Sequence, residues 1–170
     1  MTATGEEGAM GIDTDAYRHV IGRLAKGVAV VTTTASGHHH AITADSVTSV
    51  SLDPVLLLVC VETDARFHDA VLERGEFGVS VLAASQRAAA VWFSTPGRPL
   101  PGQMDRTPHT LTSSGIPLLD GALSTLECVV HDVHPAGDHS IIVGEVRAAR
   151  LSGDPTPALV HFRGQYSALP

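Results

Sequence analysis

The sequence predicts a mainly β protein, one domain whose antiparallel strands close on themselves as a barrel with a few short flanking helices. Three observations predict it. About seven runs are rich in apolar and β-branched residues and are bounded by Gly, Pro, Asp and Ser. Only three runs carry helical spacing, and each is short. The chain has 170 residues, 44% of them hydrophobic and 17% charged, a size at which a single domain buries most of its apolar surface. So many strands leave exposed edges unless something covers them, and closure into a barrel is the economical solution.

Residues 1–12, rich in Gly, Glu and Thr, read as a flexible tail, and residues 13–170 as the domain. Between Asp13 and Leu24, the spacing of Tyr17, Val20, Ile21 and Leu24 behind Asp or Thr caps predicts a short amphipathic helix. "GVAVVTTTASG" is a strand, "HHHAITADSVTSVSL" returns from a turn at Ser36-Gly37, and "VLLLVCVE" is a continuously apolar third strand, together an antiparallel meander. "DARFHDAVLERG" predicts a helix closed by Gly75, "EFGVSVLA" a strand, and "SQRAAAVWF" an Ala-rich helix. The stretch Ser94 to Pro117 is too long and too rich in Pro, Gly, Ser and Thr for a simple connection, and reads as a functional excursion or lid. Two long strands joined at "HPAGDH" follow, and "ALVHFRGQYSAL" supplies one or two last strands.

Composition excludes several classes of function. With a net charge of −7 and eleven Lys and Arg scattered singly, the chain has no basic stripe for nucleic acid. No run approaches the roughly 20 apolar residues of a membrane span, and the start lacks a basic region followed by an apolar one, so a soluble, unexported, cytoplasmic protein is expected. Cys60 and Cys128 both sit in apolar β-like runs, where a buried reduced thiol is the ordinary state. Neither has a partner cysteine nearby, no metal site is expected, and His38 to His40 read as solvated turn histidines. There is no G-x-S-x-G elbow, no S-x-x-K pair, no P-loop and no G-x-G-x-x-G, so neither a covalent nucleophile nor a Rossmann site is supported.

What remains is "TADSVTSVSLDP", Thr43 to Pro54, in which neither parity gives a clean apolar face, and the "AGDHS" turn at Ala136 to Ser140. On these two motifs, and on the order of strands around them from about Tyr17 to Leu169, the chain resembles the flavin reductases of two-component monooxygenase systems. The resemblance implies a split β-barrel of antiparallel Greek-key type, a homodimer with the flavin near the subunit interface, and hydride transfer from NADH or NADPH to FAD or FMN. It further implies that reduced flavin passes to a separate flavin-dependent monooxygenase. An oxidoreductase with permanently bound FMN, or a non-enzymatic flavin-binding protein, would be compatible with the same fold.

By the same resemblance Thr43, Ala44, Asp45 and Ser46 lie along the isoalloxazine edge, while Ser49 and Ser51, with Val50 between them, face the ribityl or phosphate portion. Arg66, at a helix start, meets phosphate, and His139 of the G-D-H turn contacts the nicotinamide side. Three residues depart from the family pattern. Asp45 stands where Asn is common, so its carboxylate either points away from the ring or binds ribityl hydroxyls. Phe67 replaces a small hydroxyl residue and suits stacking on the ligand. Lys26, the only lysine, replaces Thr or Ser and either meets a phosphate or caps a strand end in solvent.

Overall fold

The computed structural model describes residues 11–153 and 156–170. Of the expected tail, residues 1–10 lie outside that range, and Gly11 and Ile12 are exposed. Helix α1 (Thr14–Ile21) starts where the Asp13 carboxylate accepts from the Ala16 N–H at 2.8 Å. It is followed by β1 (Lys26–Gly27), β2 (Ala29–Ala35), β3 (His38–Ala44), β4 (Thr48–Leu52) and β5 (Val55–Glu62). Next come α2 (Arg66–Arg74), closed by Gly75 at φ 72°, then β6 (Glu76–Val81) and α3 (Arg87–Ser94). The remainder is β7 (His109–Leu111), β8 (Pro117–Leu119), β9 (Ser124–Ala136), β10 (His139–Leu151), β11 (Ala158–Phe162) and β12 (Gln165–Leu169).

The main sheet has the order β3-β2-β6-β9-β10-β5-β4 and is antiparallel throughout, while β1-β11-β12 form a second sheet and β7-β8 a small ribbon. The expected mainly β architecture is present, with the three helices in their expected places. Closure is not: among the described residues β3 and β4 remain the hydrogen-bonded edges of the main sheet. The meander also needs correcting. The run His38 to Leu52 is not one returning strand but two, β3 and β4, at opposite edges of the sheet. Asp45, Ser46 and Val47 carry the chain across between them.

Two apolar clusters hold this arrangement. The first packs α2 onto the main sheet through Val31, Val59, Phe67, Val71, Phe77 and Ile142. The second joins α3 to the second sheet through Val28, Leu82, Ala90, Phe93 and Leu159. Each fully buried Val or Phe contributes about 1.5–3 kcal/mol. Backbone bonds tie the second sheet to the first: the Leu82 N–H donates to the Val28 carbonyl, and the Leu159 N–H donates to the Leu82 carbonyl, each at 2.9 Å. Gly144 on β10 is required by packing, because a Cβ there would lie 2.4 Å from the Phe77 ring. The α1 face is different in kind, since Tyr17, Val20 and Ile21 stay exposed, as does Leu24 just beyond the helix. The predicted amphipathic helix forms, but its apolar stripe covers no part of this chain's core.

Candidate functional site

A cavity of about 510 Å3 lies between the β3 edge and β5, closed at its ends by the start of α2, the end of α3 and part of the Ser94–Pro117 excursion. Its position follows from the open sheet. Strands β3 and β5 both line the cavity without pairing, and Ser46, in the link between β3 and β4, carries the β4–β5 register one step further with its side chain. Ser46 Oγ accepts from the Cys60 N–H and donates to the Cys60 carbonyl, both at 3.1 Å. A hydroxyl thereby stands in for a missing ladder rung.

The unpaired edge of β3 is partly capped by the excursion. Arg98 Nη2 donates to the Ala41 carbonyl, and Gln103 Nε2 donates to the His39 carbonyl at 2.6 Å. Those carbonyls point away from β2, so the two-residue period of a strand turns the N–H and C=O of Thr43 the same way, toward the cavity. The Thr43 hydroxyl faces elsewhere and donates to the Ala90 carbonyl at 2.7 Å. Residues 98 and 103 anchor the first part of the excursion on β3, beside the cavity. Neither was singled out in the sequence, where a lone arginine in a Pro-Gly loop gives no signal of what it covers.

Two guanidiniums face this cavity, Arg66 from the first turn of α2 and Arg98 from the excursion. Arg66 Nη2 donates to the Arg98 carbonyl at 2.6 Å. Among the described residues neither meets a carboxylate within 4.0 Å. Burial, and then the charge of Arg66, push Arg98 below its ordinary value. The Arg98 cation also lies 5.8 Å from the Phe93 ring centroid. Two cations held together without acidic partners are a place for an anion.

His139, the first residue of β10 and opposite Glu62 in the β5 register, also lines the cavity. Its Nδ1 is 2.7 Å from Asp138 Oδ1, and this bond with the imidazole, foremost, holds the exposed Asp138 carboxyl below the usual range. The next residue, Ser140, is 2.9 Å from His68 Nε2 on α2. That contact ties the His139 turn to the helix that carries Arg66.

The structure brings Thr43, Ala44, Asp45, Ser46, Arg66, Phe67 and His139 to the cavity lining. Phe67 is 3% exposed and belongs mainly to the core, so it offers the cavity an edge more than a stacking platform. Ser49, Val50 and Ser51 are not brought there. They lie on β4, outside the lining, and Ser51 Oγ accepts from the Asp53 N–H at 3.2 Å. The His38 to His40 reading also needs correcting, because these residues form the start of β3. His39 bonds Thr34 at 2.9 Å, and His40 is 9% exposed and lines the cavity. Burial outweighs the raising effect of the Ala35 backbone and holds His40 below the ordinary histidine value. Cys60, expected to be buried, is half-buried in the cavity wall, whereas the Cys128 thiol is pushed up to about 12 by burial.

The Asp45 carboxylate is engaged by side chains of the second sheet. Its Oδ2 lies 2.6 Å from Lys26 Nζ and 2.8 Å from His161 Nδ1. Burial raises its carboxyl, but the hydrogen bonds from Lys26 and His161 outweigh that and leave it below the usual range. Lys26 is thus a partner of the site without lining the cavity.

The model of the flavin reductase like domain family matches residues 21–170. The chain belongs to this family. An NADH-dependent FAD reductase from Streptomyces globisporus is 44% identical over 135 residues, covering 78% of this chain and 73% of that one. An NADH-dependent flavin reductase from a Rhodococcus species is 38% identical over 155 residues, covering 89% and 84%. Among solved structures, the flavin reductase component of a bacterial two-component tryptophan halogenase superposes with a TM-score of 0.88 at 46% identity, covering 93% of this chain and 99% of that one. The NADH:FAD oxidoreductase of S. globisporus C-1027, in complex with NAD and FAD fragments, superposes at 0.85 with 37% identity, covering 91% and 92%.

For a flavin reductase the lining is chemically suitable. A strand edge offers N–H and C=O groups to a polar ring edge, Phe93 and Val61 offer apolar wall, and Arg66 and Arg98 offer charge for phosphate. The volume lies within the ordinary range for sites that bind small molecules.

Proposed function

We propose that the protein is an NADH-dependent flavin reductase that uses this cavity to reduce FAD or FMN and releases the product to a separate oxygenase or halogenase. One observation carries the reading: in a chain of the flavin reductase family, a single cavity gathers an open strand edge, two guanidiniums without acidic partners and the His139 turn. Bound flavin supplies the hydride acceptor and the nicotinamide the donor, so the protein supplies geometry and electrostatics.

Each residue then has a defined task. The Thr43 main chain orients the ring edge, and Ala44 keeps the wall low beside it. Arg66 and Arg98 hold the phosphate end and fix the ring's depth. His139, braced by Asp138, positions the dinucleotide against the ring's open face and donates a hydrogen bond without serving as an obligatory acid or base. Ser49, Val50 and Ser51 have no place in this ring site. The two sheets make a split barrel, the small sheet covering one flank while the β3–β5 gap stays open for ligand.

The protein works as a homodimer in this proposal. The supporting observation is apolar surface left uncovered, at Val20 on α1, at Leu24 just beyond it and around the β4 edge at Leu52 and Val55. A separate acceptor protein is supported by relatives that are reductase components of two-component halogenase and monooxygenase systems. Among the described residues no helix is long and apolar enough to cross a membrane.

Absorbance at 340 nm tests the proposal, with purified protein, NADH and excess FAD or FMN. Many NADH oxidised per protein chain support it. A protein that takes up flavin but never oxidises NADH is a storage protein, and the proposal fails.

A further inference from the structure

Asp45 presents a difficulty that the proposed reaction makes acute. Its residue lines the cavity, and a carboxylate beside a ring that gains negative charge raises the barrier and weakens binding of the reduced product. The surroundings answer the difficulty in a way the backbone register explains. Lys26 on β1 is the direct cross-strand partner of His161 on β11, so the second sheet presents two nitrogen side chains to the same place. Asp45 Oδ2 meets both, 2.6 Å from Nζ and 2.8 Å from Nδ1. His161 is fixed in turn by the Tyr166 ring, 5.4 Å away on β12. All three side chains are about one-third exposed or less, so solvent screens the bridge only in part.

We propose that Lys26 and His161 are positioning residues for the flavin site: they turn the Asp45 carboxylate out of the cavity and cancel its charge, so that the wall formed by Ala44, Asp45 and Ser46 is electrically neutral toward the ring. The inference rests on the proposed reductase function and deepens it. Neither residue touches the ligand, and both act through Asp45. The identity of residue 26 therefore matters only while residue 45 is acidic. A bridge that merely fastened the two sheets together would behave otherwise, because removing the carboxylate would break the same bridge and leave the damage in place.

A double-mutant cycle separates these roles. Quenching of FMN fluorescence gives the FMN Kd, and NADH oxidation at saturating FMN gives kcat, for the wild type, Lys26→Met, Asp45→Asn and the double variant. The freed carboxylate in Lys26→Met weakens FMN binding and lowers kcat, each by about fivefold or more. Adding Asp45→Asn to Lys26→Met restores both to within about twofold of Asp45→Asn alone. His161→Phe serves as the second route to a freed carboxylate and is rescued by Asp45→Asn in the same way, which keeps the test open if Lys26→Met is poorly soluble. A Lys26→Met protein with unchanged Kd and kcat overturns the inference, and so does a double variant as impaired as Lys26→Met. Wild-type turnover is the control. Its absence removes the reductase function itself, whereas wild-type turnover with a failed rescue removes this inference alone.

Discussion

The run from Thr43 to Pro54 serves two regions that the sequence does not distinguish. Thr43 to Ser46 ends the β3 edge that faces the cavity, and Thr48 to Leu52 forms the β4 edge that faces outward. Both edges are unpaired and both carry hydroxyls. On the first edge the hydroxyls are committed to protein: Thr43 to the Ala90 carbonyl, and Ser46 to both backbone groups of Cys60. That leaves main-chain groups free for a ligand. On the second edge, Thr48 and Ser49 are exposed, and Leu52 is 85% exposed. The difference teaches what hydroxyls can do on an edge: in the proposed site those of Thr43 and Ser46 are spent on protein and do not reach the ligand. They leave main-chain groups of the β3 edge without other duties, and the proposed function assigns the recognition to those groups.

The strongest contrast to test is between the cavity edge with its opposing turn and the outer edge. His139→Ala lowers kcat/KM for NADH by about 10- to 100-fold, and steady-state kinetics reads it. Ser49→Ala and Ser51→Ala leave the same constant within about twofold. A kcat/KM unaffected by loss of His139 removes that residue from the site.

Stability separates the edges by a smaller amount. Ser46→Ala strands the N–H and C=O of Cys60 and costs about 1–3 kcal/mol in urea unfolding. Ser51→Ala, which loses one exposed local bond, stays within about 0.5 kcal/mol. Equal losses at both positions would mean that the Ser46 hydroxyl does not serve as a ladder rung for Cys60.

Acid reads the Asp45 bridge. The folded state holds this carboxyl below its unfolded value, so the bridge's contribution is complete above about pH 4 and fades as the pH falls below it. The Tm difference between wild type and Lys26→Met is expected at pH 7 and shrinks at pH 3. A difference that widens in acid contradicts the assignment.

The mildest probe is thiol chemistry. Cys128, with its thiol pushed up to about 12, stays inert to iodoacetamide at pH 8, while Cys60 reacts slowly and is protected by FMN. Mass spectrometry of labelled peptides distinguishes the two, and labelling of Cys60 that FMN does not slow places the flavin elsewhere.

Much of the fold was legible because its signals are local. Asp13 caps α1, Gly75 ends α2, and the Gly137-Asp138 turn joins two 13-residue strands whose apolar runs are plain in the sequence. The division of β3 from β4 was not legible. Nothing in "TADSVTSV" separates a strand that continues from one that crosses a gap, since Ser46 copies a ladder bond with its side chain. The cavity's near wall was legible through the family motif, as were Arg66 and His139. Arg98 and Gln103 were not, because they act on β3 from 57 and 64 residues away. His161 was equally hidden, since its role depends on a cross-strand register with Lys26 that no local pattern records.

The central claim is that flavin sits between β3 and β5 with its phosphate end on the two guanidiniums. The KM for FMN and for riboflavin, measured with NADH for the wild type and Arg66→Met, tests it most directly, because riboflavin has the same ring and no phosphate. The FMN value rises about tenfold or more in the variant, while the riboflavin value stays within about twofold. An FMN value that does not move, or a riboflavin value that rises equally, would contradict this placement.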